Sequence, residues 1–140
     1  MRFNEEVSSQ IYMEMKHKLF GFLLHDSIIY NIASRRLLYF SEDLHDHAMS
    51  VKTVILNETQ SRLLICLLEN CKKAVIYKDD IMKSVWDEFN LPSSNQRLWQ
   101  TINELKKKLL SIGLPDDFIT NIHGMGYSVH NSKIGLLHIS

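Results

Sequence analysis

Residues 94–129 read SNQRLWQTINELKKKLLSIGLPDDFITNIHGMGYSV, an amphipathic stretch followed closely by a strand pair that pivots on glycine. Few folds place such a pair back to back. At about 3.6 residues per turn, Leu98, Ile102, Leu105 and Leu109 form one apolar stripe, and Gln96, Arg97, Gln100, Asn103, Glu104 and Lys107 point away from it. Between Ser94 and Ser111 there are four basic residues and one acidic one, a net charge of +3. Gly113 is expected to stop the helix. Phe118 to Ile122 and Tyr127 to His130 then read as two strands around a tight turn, with Gly124 and Gly126 free to take positive φ.

The rest of the chain supplies a body for this pair. From Lys18, the run KLFGFLLHDSIIYNIASRRLLYF is rich in β-branched and aromatic residues broken by Asp, Ser and Asn, which predicts three short strands. SEDLHDHAMS reads as a polar loop and VKTVIL as a fourth strand, so a small antiparallel sheet is expected. At Glu58 the apolar period turns helical: Leu63, Leu64, Leu67 and Leu68 share a face, and Asn57 with Gln60 can form a capping box. That helix is expected to run to about Asn70. A short apolar link, VIY, precedes a second helix from Lys78, whose Asp79 and Asp80 suit the positive end of the helix dipole. Its buried side is expected to comprise Ile81, Met82, Val85, Trp86 and Phe89. Pro92 and the serines after it end it. Three units follow: residues 1–16 as a lead-in, open between helix and disorder; 17–130 as the folded domain; and 131–140 as a C-terminal tail.

Charge names no partner for the chain as a whole. Sixteen basic residues balance sixteen acidic ones, so a polyanion must be held by a local patch. Residues 1–50 carry 5 basic and 7 acidic residues, and 51–140 carry 11 and 9, a mild shift towards positive in the second part. Cys66 and Cys71 match neither a zinc knuckle nor a CxxC redox pair. Cys66 reads as a small core residue in a reducing, cytoplasmic setting. No apolar run reaches the roughly 18 residues of a spanning helix, and MRFNEEVSSQ lacks the pattern of a signal peptide.

Other chemistries find little support. His45, Asp46 and His47, with Glu42 and Asp43 before them, could converge on an ion, but no cysteine or second cluster joins them, and no metal is expected. No Ser/His/Asp order, glycine-rich phosphate loop or paired carboxylates stand in a context that implies catalysis, so neither an enzyme nor a cofactor is expected. Trp86 and Trp99 are read as core or rim packing.

Five stretches together resemble a known family: ASRRL in the N-terminal sheet, LNETQSRLLICLLEN, YKDDIMKSVW, INELKKKL and ITNIHGMGYSV. They are similar to the winged helix-turn-helix DNA-binding domain of OmpR/PhoB-type response regulators, and more closely to its ToxR/CadC-like relatives. The likeness covers about Lys18 to Val129, and its most specific parts are Ile-x-x-Leu-basic-Lys-x-Leu and the Gly-x-Gly-Tyr ending. It implies an α+β winged helix-turn-helix: an N-terminal antiparallel sheet, three helices and a C-terminal β-hairpin wing. It further implies a bacterial transcription regulator whose recognition helix, about 94–111, enters the major groove while the wing, about 118–130, meets the backbone or the minor groove.

The family's contact positions fall on Gln96, Arg97, Gln100, Thr101, Asn103, Glu104 and Lys106 in the helix, and on Asn121 and His123 in the wing. Lys107 adds a phosphate candidate, and Lys108 lies at the margin. Where well-known members carry arginines, this chain has Asn103, Glu104 and His123, which implies weak binding by a monomer and reliance on a homodimer, tandem copies or a partner regulator. The receiver domain and membrane segment found in some relatives are not in this sequence, so the signal is expected to be sensed elsewhere. The alternative expectation is a winged-helix interaction module that binds another regulator or RNA polymerase, with little DNA binding of its own.

Overall fold

The computed structural model describes residues 19–43, 48–130 and 133–138. Its N-terminal apolar runs pair as an antiparallel meander of β1 (Leu19–Leu24), β2 (Ile28–Asn31), β3 (Arg36–Asp43) and β4 (Ala48–Ile55). At the β1–β2 turn, His25 and Asp26 both have positive φ, 51° and 57°. The Ser27 N–H donates to the Leu24 carbonyl across 3.2 Å. Positive φ at both central positions lets the turn follow the right-handed strand twist. Period-two alternation then sends Phe22, Leu24, Ile28, Tyr30 and Leu37 into the core.

Two features of this sheet differ from the sequence expectation. Ser41 to Asp43 and Ala48 to Ser50 are strand rather than loop, and the Ser41 and Ser50 hydroxyls meet across the ladder at 2.6 Å. The expected tail supplies a further strand, β8 (Ile134–His138), antiparallel to β1, giving the order β4-β3-β2-β1-β8. Its apolar run is short and broken by Gly135, so the segment alone gives little sign of a strand. An open edge on β1 supplies the partner, and the His25 N–H donating to the Lys133 carbonyl at 2.9 Å sets the register. The folded unit therefore continues past residue 130. The lead-in at 1–16 and the His45–His47 cluster lie outside the described residues.

Helix α1 (Glu58–Glu69) carries the expected capping box: the Gln60 N–H donates to Asn57 Oδ1 at 2.8 Å, and the Asn57 N–H to Gln60 Oε1 at 3.1 Å. Its Leu63, Leu64, Leu67 and Leu68 are buried against the sheet and the other helices. A hydrogen bond between the Tyr30 and Ser61 hydroxyls fastens β2 to α1. Burial pushes both the Tyr30 phenol and the Cys66 thiol up from their ordinary values, as expected for core groups that stay neutral.

The VIY link contributes β5 (Ile76–Tyr77), and α2 (Lys78–Val85) follows at once. That helix stops earlier than its apolar pattern suggests. Trp86 is buried, but a 3₁₀ turn at Asp87–Phe89 and a left-handed Asn90 (φ 57°) redirect the chain, and Phe89 ends up exposed. There it lies under the Arg62 guanidinium, 4.5 Å from ring centroid to Cζ, while Arg62 Nε donates to the Val85 carbonyl at 2.9 Å. Helix α3 (Asn95–Ile112) leads through a 3₁₀ turn to β6 (Ile119–Ile122) and β7 (Gly126–Val129), which with β5 form a second sheet in the order β5-β7-β6.

Candidate nucleic-acid interface

Helix α3 is fixed at both ends and along one side. Ser94 is its N-cap, its hydroxyl accepting from the Arg97 N–H at 3.0 Å, and Gly113 ends it with φ 111°. Leu98, Ile102, Leu105, Leu109 and Ile112 are each at most 2% exposed. This stripe locks the rotation of the helix about its axis, which decides what the remaining positions face.

The opposite side presents Gln96, Gln100 and Lys107 in the open, with Asn103 and Lys106 half-buried beside them. Within the described residues, none of these five side chains has a hydrogen bond or ion pair to another part of the chain. Three expected contact positions fall outside this set: Arg97 and Glu104, which have partners within the chain, and Thr101. Thr101 is only 8% exposed, and its hydroxyl donates to the Arg97 carbonyl at 2.8 Å. Its place in the helical period, between Leu98 and Leu105, turns it towards the core, where back-bonding satisfies its hydroxyl.

The two flanks of this face differ. On one, Arg97, Glu104 and Lys108 engage the protein itself. Arg97 Nη1 donates to the Pro92 carbonyl at 2.7 Å, and Glu104 Oε2 accepts from Gln60 Nε2 at 3.3 Å. Lys108 Nζ donates to the Ile55 carbonyl at 2.9 Å and to Gln60 Oε1 at 2.7 Å. Gln60, the capping residue of α1, thus ties α3 to α1, and Lys108 ties it to β4. On the other flank Trp99 and Leu110 stand 60% and 54% exposed. They border an open trough of about 550 Å³ that Asn103, Lys106 and Lys107 also line, with Asp116 contributed by the following loop. Trp99 is therefore not core or rim packing. Its offset of about 100° from Leu98 already placed it off the stripe, but its apolar character suggested burial.

In the wing, β6 and β7 pair from Ile119↔Val129 to Ile122↔Gly126. The reversal uses positive φ at His123 (48°) and Gly124 (74°), with the Met125 N–H donating to the Ile122 carbonyl at 2.9 Å. Asn121 Oδ1 accepts from the Gly124 N–H at 3.0 Å, and Asn121 and His123 are both exposed. Gly126 does not use the same freedom, since it is not among the positive-φ glycines. It is needed because β5 passes close by: a Cβ there would lie 2.1 Å from the Ile76 carbonyl oxygen. Tyr127, 3% exposed, anchors the wing to the core, and burial raises its pKa.

Among the described residues, no group of three or more His, Cys, Asp or Glu side chains could hold a metal ion, and no helix is long and apolar enough to cross a membrane.

Comparison with known proteins points the same way as this geometry. The fold is similar to that of the DNA-binding domain of E. coli CadC, with a TM-score of 0.62 and 15% identity over 87% of this chain and 99% of that one. Protein RcaC of Microchaete diplosiphon is 34% identical over 65 residues, 46% of this chain and 10% of RcaC, so the chain spans about a tenth of that relative. A family model described as transcriptional regulatory protein, C terminal, matches residues 51–129, from β4 to the end of the wing. The chain belongs to that family, the C-terminal DNA-binding domains of OmpR/PhoB-type transcriptional regulators.

Proposed function

We propose that this domain binds double-stranded DNA with the outward face of α3 in the major groove and the β6–β7 wing on the neighbouring backbone or minor groove. The observation that carries this reading is the division of α3. One side is locked into the core, and the opposite side offers Gln96, Gln100, Asn103, Lys106 and Lys107 without partners in the described chain. A helix of about 10–12 Å diameter fits the major groove. There, Gln100 and Asn103 match the donor–acceptor pair on an adenine edge. Arg97, with one nitrogen held by the Pro92 carbonyl, keeps donors for a guanine or a phosphate. Lys106 and Lys107 suit phosphates, and Asn121 and His123 bring the wing tip to the backbone.

With Asn103, Glu104 and His123 in place of permanent cations, two copies on adjacent half-sites, as a homodimer or in tandem, are the arrangement that raises affinity most simply. Fluorescence anisotropy of a labelled random-sequence duplex, titrated at low and physiological salt, tests the reading. Affinity falling steeply on a log–log plot is expected, because phosphate contacts release counterions. Replacing Arg97 and Lys107 together by alanine should weaken binding while the domain stays folded.

A second reading has its own observation: Glu104 and Asp116 lie beside the lysines, and Trp99 and Leu110 stand exposed, as on a surface for a protein. A folded protein that fails to bind DNA even at low salt would favour this interaction module, with RNA polymerase or another regulator as the partner.

A further inference from the structure

We infer that Trp99 is a DNA contact in its own right, the apolar arm of the α3 face, packing on the carbon surface of a nucleotide: a thymine C5-methyl or a deoxyribose. This rests on the DNA-binding reading above and goes beyond the polar contact set. An indole left 60% exposed on an ordered helix is unfavourable in the free protein, since large aromatic side chains gain most from burial. Its surroundings select the partner. Trp99, Asn103, Lys106 and Leu110 fall on the same flank at helical spacing. All four line the same open trough as Lys107, with Gln100, Glu104 and Asp116. Glu104 is held by Gln60, so the indole shares its space with two ammonium groups unpartnered among the described residues and with the Asp116 carboxylate of the following loop.

A partner that satisfies the indole and the ammonium groups must present negative charge and an apolar carbon surface within a few ångströms of each other. Each nucleotide of a duplex does this, with its phosphate beside its sugar and, at thymine, a methyl in the major groove. On the opposite flank Glu104 and Lys108 are instead bonded to Gln60 and Ile55.

The two tryptophans provide a direct test in the unaltered protein. Trp86 is 2% exposed, so acrylamide quenching of intrinsic fluorescence reports chiefly on Trp99. A duplex selected for binding from a randomised pool is added until the anisotropy of its label saturates, and quenching is measured again. The accessible fraction should fall to near zero. Trp99→Ala should weaken binding about tenfold with the salt slope unchanged, because an apolar contact releases no counterions. Replacing thymine by deoxyuridine then separates the sources: a similar loss assigns the methyl, and an unchanged affinity assigns the deoxyribose. Saturated binding with quenching unchanged, or a Trp99→Ala protein that binds as tightly as the parent, overturns the inference. Recovery of no binding duplex at all would instead be the failure of the DNA-binding reading.

Discussion

The two flanks of α3 carry similar side-chain types and do different things with them. Glu104 and Lys108 bond Gln60 and Ile55, and Arg97 places one guanidinium nitrogen on Pro92, so all three help to hold the helix in place. Across the helix, Lys106, Lys107 and Asn103 have no such partners and sit beside an exposed indole. A charge run in a sequence is therefore not one feature. Of the three consecutive lysines, Lys108 is structural, and Lys106 and Lys107 are available to a ligand, because the helical period separates them by about 100° per residue.

Substitutions can break or sharpen this contrast. The largest effect is expected where α3 meets the core: Leu105, fully buried, should cost about 2–5 kcal/mol of stability when changed to alanine, read from the urea midpoint. Gln100→Ala on the outer face should leave that midpoint within about 0.5 kcal/mol. Comparable losses at both positions would mean that the outer face is also packed. Next is the wing. Gly126→Ala drives a Cβ into the Ile76 carbonyl and should cost about 1–3 kcal/mol, whereas Gly124→Ala, with open space but φ 74°, should cost about 1 kcal/mol. Reversal of that order would mean that the turn, not the β5–β7 approach, controls the wing. Lys108→Ala should lower stability by about 1 kcal/mol through its lost bonds to Ile55 and Gln60.

The smallest effect is alkaline. Burial raises the Tyr30 and Tyr127 phenols above their ordinary value of 10.0, so the folded state holds protons that the unfolded chain releases. That contribution is fully present below pH 10.0 and is lost as pH rises through the folded values. Thermal melts from pH 8 upward should show a midpoint that begins to fall near pH 10. A flat profile would contradict the burial of both phenols.

Much of the fold was legible because periodicity and capping are local signals. The Asn57–Gln60 box, the Leu63–Leu68 face, the α3 stripe and the Gly113 stop all lie within a few residues of what they control. What could not be read depends on distant partners. β8 exists because β1 has an edge to share, and β5 because Gly126 lets it approach. Phe89 leaves the core because Asn90 turns left-handed and closes the helix early. The same limit applied to the site. Spacing found the outward face without Thr101, which the family's contact positions added, and Trp99 was passed over because its apolar character suggested burial. Packing against α1, α2 and the β3–β4 strands sets the rotation of α3 that buries Thr101 and exposes Trp99.

The central claim is that the outer face of α3 and its free flank meet DNA, whereas Lys108, bonded to Ile55 and Gln60, does not. Salt-dependent anisotropy on one duplex, comparing Lys106→Ala/Lys107→Ala with Lys108→Ala, tests it most directly. Loss of two phosphate contacts should reduce the log–log salt slope by about 2 in the double variant, and Lys108→Ala should leave it unchanged. An equal drop in both, or none in the double variant, would contradict this division of the helix.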